Sequence, residues 1–310
     1  MSLHIDTPLL VSQSLTRRSG RPVLLKMEAL QPPGSFKIRG IGAVCEHHAG
    51  RGKRHFISSS GGNAGIAVAY AGRQLSIPVT VFVPETTTEM AKSLIRQEGG
   101  EVIVHGASWQ EANARALEAV DEQAAFIHPF DDPIMWTGHA TMIDEIVRVG
   151  AAFDAVVVSV GGGGLLCGVA EGLSRNGLDH VHILAAETDG AASLSASLRA
   201  DRLVELPAIT SIATSLGAKK ICGRALEIAR TRPLDSVVVS DGDAVDACLR
   251  FMDDHRVVVE PACGAALAVA YAHPERLARF DRVLIVVCGG ATTSFMTLMD
   301  HAASPSVTCR

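Results

Sequence analysis

The sequence predicts an α/β protein built around mainly parallel β-sheets, and three features support this. Short runs rich in Val and Ile alternate with longer stretches of helical periodicity almost from end to end, an order typical of strands joined by crossover helices. Several short runs are apolar on both faces, as expected of parallel strands covered by helices on both sides. Three runs lead directly into loops rich in Gly or Ser. The predicted strands are residues 23–27, 55–58, 79–83, 101–104, 155–160, 181–186, 236–240 and 282–287.

Helical patterns fill the stretches between these strands. The segment 131–150 stays unassigned, because Pro133 interrupts whatever precedes it. Periodicity places no domain boundary, since no linker, low-complexity tract or repeat divides the 310 residues. The predicted helices are residues 64–75, 87–97, 109–122, 165–175 and 243–255.

Composition and charge narrow the class of protein. A net charge of −5, with no Lys/Arg cluster interleaved with aromatic residues, gives no reason to expect a nucleic-acid partner. Seven cysteines without CxxC spacing favour reduced, buried thiols over a disulfide framework or a zinc site. Residues 1–15 lack the basic start and apolar core of a signal peptide, and no apolar run approaches the roughly 18 residues of a membrane helix. We therefore expect a cytoplasmic protein without a membrane partner.

Four consecutive glycines, residues 161–164, lie between a predicted strand and a predicted helix. Their N–H groups are unobstructed by side chains, and a helix N-terminus favours an anion. A phosphate group is the natural ligand, although a tight turn also explains the same residues. Leu166 and Cys167 stand where a GxGxxG motif would need its third glycine, so a dinucleotide site is disfavoured.

Two further loops follow predicted strands. Residues 58–65 (SSSGGNAG) offer hydroxyls, free N–H groups and an amide at a helix start. These groups suit a small carboxylate, although helix capping explains them equally well. Residues 287–294 (VCGGATTS) contain Cys288, which on its own indicates a core residue rather than a chemical one.

Lys37 lies between apolar neighbours in the stretch 32–40 (PPGSFKIRG), although the chain holds only six lysines. A partly desolvated lysine loses its proton more readily, and Schiff-base chemistry requires this. Taken alone, such a lysine fits a salt-bridged structural role as well. Beside a phosphate loop and a carboxylate loop, the chemical role is favoured.

Together these motifs resemble the fold-type II pyridoxal-phosphate enzymes. Residues 35–40 (SFKIRG) match the S-x-K-x-R-G lysine motif of that family, residues 60–65 its substrate-carboxylate loop, and residues 161–164 its tetraglycine phosphate loop. The resemblance runs from Thr7-Pro8-Leu9 to the loop at 288–290. It is closest to the L-serine dehydratase and serine dehydratase-like branch, to which the stretches 210–213 (TSIA) and 260–266 (EPACGAA) are similar.

The resemblance also implies an architecture. It predicts two open, twisted, mainly parallel sheets with helices, and a small domain inserted in a large one. Residues 33–132 would form the small domain, and residues 1–32 with 133–310 the large cofactor-binding domain. Pyridoxal 5'-phosphate would lie in the cleft between them, and the protein would be a homodimer.

Residue roles follow from the same resemblance. Lys37 is the predicted Schiff-base lysine and general base, and Phe36 stacks on the pyridine ring. Ser60 and Gly61 face the substrate carboxylate. Asn63 does so as well and also bonds to the 3'-oxygen of the cofactor.

Six further residues are predicted to contact the cofactor. The glycines hold its phosphate and the cysteine faces the pyridine nitrogen; the six are Gly161, Gly162, Gly163, Gly164, Ser215 and Cys288. Relatives also bind a monovalent cation, and Glu187 stands at a position that matches one of their cation ligands. An ordinary carboxylate at the end of a strand explains Glu187 as well. The predicted cation site, which would take K⁺, consists of Glu187, Ala191, Ser193, Leu216 and Ala218.

The implied reaction is deamination of L-serine, L-threonine or both by α,β-elimination, which gives pyruvate or 2-oxobutanoate plus ammonia. A serine racemase is the main alternative, but racemase-type relatives carry a second acid/base serine where Gly61 stands. Phe36 before the lysine argues against a β-replacement synthase. A third alternative, a protein that binds an amino acid without converting it, is left open by the sequence. Because glycine leaves the carboxylate loop more conformational freedom, we expect slow turnover.

Overall fold

The computed structural model describes residues 2–304, which form two β-sheets flanked by helices. The predicted α/β class with two mainly parallel sheets is thereby confirmed. Among the helices of these residues, none combines the length and the apolar character that crossing a bilayer requires.

The larger sheet has six strands, and all but one of its neighbouring pairs are parallel. The exception is the first strand, which runs antiparallel to the second at one edge. In spatial order the strands are β1 (Leu9–Val11), β2 (Val23–Lys26), β10 (Val283–Val286), β7 (Ala155–Ser159), β8 (His182–Thr188) and β9 (Leu234–Val239). Every residue of β2, β7 and β10 is buried, as expected of central strands covered on both faces.

The smaller sheet has four strands, all parallel. In spatial order they are β5 (Glu101–Val104), β4 (Val79–Val83), β3 (His55–Ser58) and β6 (Ala124–Phe126). The two sheets have separate apolar cores, one around β7 and β10 and one around β3 and β4. All four strands fall within residues 33–132, and the division of the chain into a small and a large domain remains a prediction.

Twelve α-helices connect and cover the strands within residues 2–304. They are α1 (Gln13–Ser19), α2 (Lys37–Gly50), α3 (Asn63–Leu75), α4 (Glu89–Gln97), α5 (Trp109–Glu118), α6 (Pro133–Arg148), α7 (Gly164–Arg175), α8 (Ser193–Ala200), α9 (Gly223–Thr231), α10 (Asp241–His255), α11 (Pro261–Tyr271) and α12 (Phe295–Ala303).

Several predicted helix limits were wrong, and local capping explains why. The helix predicted at 87–97 begins only at Glu89, because the Thr88 side chain accepts the N–H of Ala91 as an N-cap. The helix predicted at 109–122 ends at Glu118, and Asp121 Oδ1 then accepts the N–H groups of Gln123 and Ala124 in a turn. The unassigned stretch 131–150 is mostly α6, with Pro133 in the first turn, where its missing N–H costs nothing.

The carboxyl ends of two neighbouring strands in each sheet carry the loops of interest. In the larger sheet the glycine loop follows β7, and the Cys288 loop follows its neighbour β10. In the smaller sheet the loop at 59–62 follows β3, and residues 127–131 follow its neighbour β6. Ligands of open α/β sheets bind at such strand ends, so these four loops define the candidate site.

Candidate active site

Lys37 is the first residue of α2, and its amine lies deep among protein atoms although part of the side chain keeps exposed surface. Its Nζ donates a 2.6 Å hydrogen bond to the carbonyl of Pro129, which follows β6. Desolvation lowers the pKa of Lys37 from 10.5 to about 8, although the nearby Glu260 carboxylate opposes this shift. Lys37 can therefore supply a neutral amine close to neutral pH.

The segment before Lys37 is tied to the loop after β10. The N–H of Phe36 donates to the carbonyl of Cys288 at 3.1 Å, and Ser35 pairs with Gly289 in a β-bridge. The Phe36 ring contacts the buried His139 ring, with centroids 4.9 Å apart. These contacts fix the start of α2 beside the end of β10.

Asn63 begins α3, and its amide is held from both sides. Its Nδ2 donates to Glu260 Oε1 at 2.7 Å and to Ser215 Oγ at 3.2 Å, and its Oδ1 accepts the N–H of Ala291 at 2.9 Å. The partners come from the other sheet and its loops, so Asn63 joins the two halves of the site. Burial raises the pKa of Glu260, which also accepts a hydrogen bond from Thr292.

Gly61 faces Thr87, which lies just before α4. A Cβ atom at Gly61 would stand 2.7 Å from Cγ2 and 2.8 Å from Oγ1 of Thr87. Real Cβ contacts are not this short, so Thr87 occupies the space that a side chain at position 61 would need. The neighbouring Ser60 hydroxyl accepts the N–H of Gly62 at 3.4 Å.

The tetraglycine loop is packed so closely that side chains are excluded. A Cβ atom at Gly162 would stand 2.4 Å from the ring of Phe130, and one at Gly164 would stand 2.6 Å from its carbonyl oxygen. Gly163 has a φ of +96°, which glycine adopts without strain. Within residues 2–304, the N–H groups of residues 161–163 donate to no other backbone group. These free donors at the start of α7 form an anion-binding cradle.

Cys288 is buried at the end of β10, with 5% of its surface exposed. A hydrogen bond with Cys263 and burial raise the pKa of the Cys288 thiol, so it is neutral at physiological pH. A neutral group in this place neither attracts nor repels a proton on a nearby ring nitrogen.

Glu187, the one carboxylate among the predicted cation residues, is buried. Glu187 accepts the N–H groups of Leu194 and Ser195 at 2.7 and 2.8 Å, and burial raises its pKa to about 7. The buried hydroxyl of Ser193 has no hydrogen-bond partner among the described residues. Leu216 packs against Gly161, so this set of residues adjoins the glycine loop.

Sequence reasoning missed several residues that shape the site. The carbonyl of Pro129, the ring of Phe130 and the side chain of Thr87 belong to segments without a recognisable motif. Glu260 carried a usable signal, since it is the one charged residue in the otherwise apolar or small stretch 257–271. A charge in such a stretch indicates a buried, partnered carboxylate.

Taken together, the residues fit pyridoxal phosphate. The glycine cradle suits its phosphate, Lys37 suits its aldehyde, and Asn63 presents an amide held by three partners. The neutral Cys288 thiol completes the set on the larger sheet.

The chain is similar to known proteins along nearly its whole length. Residues 1–289 match the family described as pyridoxal-phosphate dependent enzymes. A rat protein named "Serine dehydratase-like" is 48% identical, over 96% of this chain and 93% of its own. A mouse protein named "L-serine dehydratase/L-threonine deaminase" is 45% identical, over 96% and 94%. A solved fungal L-serine ammonia-lyase from Rhizomucor miehei superposes with a TM-score of 0.92 at 35% identity, covering 97% of this chain and 98% of that one.

The extent of these matches confirms the resemblance that the sequence motifs indicate. Because the family match covers nearly the whole chain, from the first residue to the loop after β10, the protein belongs to the pyridoxal-phosphate-dependent enzymes and has their fold-type II architecture.

Proposed function

We propose that this protein is an ammonia-lyase that converts L-serine, L-threonine or both to pyruvate or 2-oxobutanoate plus ammonia, using pyridoxal 5'-phosphate. The observation that carries the proposal is the buried Lys37 amine, with its pKa of about 8, between a phosphate cradle and a small-carboxylate loop. The names of the rat, mouse and fungal relatives support the same reaction.

Pyridoxal phosphate, when bound, supplies the electron sink that makes the Cα proton of an amino acid removable. Lys37 is the base for that proton. Desolvation makes the neutral form of its amine accessible near neutral pH, and the Pro129 carbonyl orients the amine without removing its proton. The protein therefore provides a base whose pKa lies near working pH, as efficient proton transfer requires.

In this proposal Asn63 and Cys288 contact two edges of the cofactor's pyridine ring, Asn63 at the 3'-oxygen and Cys288 at the ring nitrogen. Glu260, Ser215 and Ala291 hold the Asn63 amide, and its Nδ2 would turn from Ser215, which it bonds at 3.2 Å, to donate to the 3'-oxygen. The neutral Cys288 thiol leaves the ring nitrogen without an acidic partner, which favours prompt loss of a β-hydroxyl over other fates of the amino acid. Ser60, Gly61 and Asn63 bind the substrate carboxylate.

Gly61 favours a lyase over a racemase. A racemase needs an acid on the face opposite Lys37, and glycine has no side chain to provide it. The hydroxyl of Thr87 is the group next to this position, so it is the residue to examine if racemisation is found.

The test is the release of 2-oxo acid and ammonia from L-serine, L-threonine and their D-forms by the purified, cofactor-loaded protein. We expect turnover of at least one L-amino acid and none in Lys37→Ala. Chiral analysis of the remaining L-serine should show no D-serine. Accumulation of D-serine without 2-oxo acid would instead identify a racemase, and unchanged substrate would identify a binding protein.

We further propose that the enzyme works as a homodimer in the cytoplasm and binds K⁺ at the five predicted cation residues. Exposed apolar side chains of α12, at Phe295, Met296 and Met299, support association of copies. Sedimentation equilibrium of the holoenzyme measures the oligomeric state.

A further inference from the structure

Two cysteines outside the proposed catalytic set lie side by side beneath the glycine loop. Cys167 belongs to α7, and Cys222 is the N-cap residue of α9. Their sulfur atoms are 3.7 Å apart, and both side chains are buried as free thiols.

Each of these cysteines is also bonded to the glycine loop through its backbone. The N–H of Cys222 donates to the carbonyl of Gly162 and the N–H of Cys167 to that of Gly163, both at 2.9 Å. A Cβ atom at Gly163 would stand 3.2 Å from the Cys222 sulfur. Movement of either cysteine is therefore transmitted to the loop.

The two thiols differ in acidity. The hydrogen bond from the Cys167 thiol, with a further one from the backbone of Ala225, lowers the pKa of Cys222. The same bond raises the pKa of Cys167, and burial adds to this. Cys222 also lies at the N-terminus of α9, where a thiolate is favoured. Cys222 is the better nucleophile, and Cys167 is the thiol that can resolve an oxidised Cys222.

We propose that Cys167 and Cys222 are a redox-modifiable dithiol, which a peroxide oxidises to a disulfide that deforms the glycine loop. A disulfide requires a sulfur–sulfur distance of about 2.05 Å, well below the present 3.7 Å. The sulfurs must therefore approach each other, and the carbonyls of Gly162 and Gly163 move with them. That this weakens cofactor binding rests on the proposed function of the loop as a phosphate cradle.

The oxidation is balanced with hydrogen peroxide as the oxidant. The Cys222 thiolate attacks one peroxide oxygen, the O–O bond breaks, and hydroxide leaves and takes up a proton to become water. The sulfur of Cys167 then attacks the Cys222 sulfur, the S–S bond forms and the S–O bond breaks. The Cys167 proton goes to the departing hydroxide and gives a second water. Two thiols lose two electrons, and one peroxide gains them.

The test treats the holoenzyme with hydrogen peroxide, blocks the remaining thiols with iodoacetamide and maps the peptides without reduction. We expect one cross-linked pair that contains Cys167 and Cys222, together with loss of cofactor on gel filtration that dithiothreitol and added cofactor reverse. Cys167→Ala and Cys222→Ala should retain cofactor under peroxide. Cys248→Ala, which removes a buried thiol elsewhere, should behave as the unmodified protein.

Two results would overturn the inference. One is continued alkylation of Cys167 and Cys222 after peroxide has oxidised other thiols, such as Cys263 with Cys288. The other is the predicted cross-link with cofactor fully retained. The cross-link is identified in peptides of the unmodified protein, so misfolding of a variant does not affect the result. Failure of the 2-oxo acid assay, which would contradict the proposed function, does not affect it either.

Discussion

At the scale of single residues, Lys37 illustrates what a sequence can and cannot predict. Its proposed chemical role follows from the apolar setting and the SFKIRG motif, both of which are local. Its partner did not follow, because the Pro129 carbonyl lies 92 residues along the chain and has no motif. The same holds for Asn63, whose place at a helix start was expected but whose bond to Glu260 spans 197 residues.

The lowered pKa of Lys37 predicts how cofactor capture depends on pH. Only the neutral amine attacks an aldehyde, so the capture rate should rise with the neutral fraction. With a pKa of about 8 the rate should level off soon above pH 8, whereas an ordinary lysine at 10.5 would keep rising. The measurement is stopped-flow absorbance of cofactor-free protein mixed with pyridoxal phosphate. A rate that still climbs steeply at pH 10 would refute the desolvated amine.

Glu187 predicts a pH-dependent effect of K⁺ on stability. Its folded-state pKa of about 7 exceeds the ordinary 4.5, so the folded protein keeps a proton that the unfolded chain has released. Stability from this group is therefore lost as pH rises from 4.5 to 7. A cation bound at the carboxylate offsets that loss, so K⁺ should raise Tm more above pH 7 than well below it.

The matched control for the K⁺ effect is Glu187→Gln, which keeps the shape of the side chain but has no charge. In that variant the extra stabilisation above pH 7 should vanish. Tetramethylammonium chloride at equal ionic strength separates binding from screening. If the K⁺ salt and tetramethylammonium chloride shift Tm equally, in both the unmodified protein and Glu187→Gln, then no cation binds at Glu187.

At the scale of elements, the β3–α3 loop, which is the proposed substrate loop, meets Thr87 just before α4 at Gly61. The sequence showed that position 61 lacks a side chain, but it did not show that Thr87 fills the space. Thr87 belongs to a segment expected to be helical, and its true place just before α4 became evident only with the Thr88 cap. The Thr88 cap places Thr87 before α4, and the contact of Thr87 with Gly61 then limits which side chains fit at position 61.

The Gly61–Thr87 contact predicts non-additive substitutions. Gly61→Ala should lower kcat/KM for L-serine by about tenfold, equivalent to roughly 1.4 kcal/mol, because Thr87 must shift and displace the loop. Thr87→Ala removes the two atoms in conflict, so the double variant should regain most of that loss. Steady-state kinetics of the four proteins form a double-mutant cycle.

Gly62→Ala is the steric control for this cycle, since a Cβ atom there meets nothing within 4 Å. Its defect should not respond to Thr87→Ala. If Gly61→Ala and Thr87→Ala act additively, the contact does not control the loop.

At the scale of the whole molecule, the long buried strands were predictable and the short ones were not. All eight predicted strands exist, with ends within two residues of those predicted, because short Val/Ile-rich runs between helices strongly favour buried parallel strands. β1 and β6 have three residues each, too few for a periodic signal. The arrangement into two sheets depended on family resemblance, since no composition change marks where one sheet gives way to the other.

A buried charge network connects the elements of the two sheets. Arg39 of α2 bonds Glu28 after β2 at 2.7 Å and Glu145 of α6 at 2.6 Å, and Lys26 of β2 also pairs with Glu145. Although burial opposes it, bonding to Arg39 and Lys26 lowers the pKa of Glu145 to about 2. The two carboxylates and two cations balance one another.

Removing one member of this network should be costly. Arg39→Met leaves two buried carboxylates with a single cation, so the free energy of unfolding should fall by about 3–5 kcal/mol. The exposed pair of Arg73 with Glu98 provides the control, since Arg73→Met should cost about 1 kcal/mol or less. Urea denaturation of the cofactor-free proteins measures both. Similar losses in the two variants would mean that burial adds nothing to the Arg39 network.

The central claim is that Lys37 holds the cofactor, and borohydride reduction of the holoenzyme tests it most directly. Reduction makes the link between lysine and cofactor permanent, and proteolysis followed by mass spectrometry locates it on the chain. We expect the label on the peptide that contains Lys37, and no fixed label in Lys37→Ala. Label on any other lysine of the unmodified protein would contradict the account, because the glycine cradle, Asn63 and Cys288 are arranged around Lys37 alone.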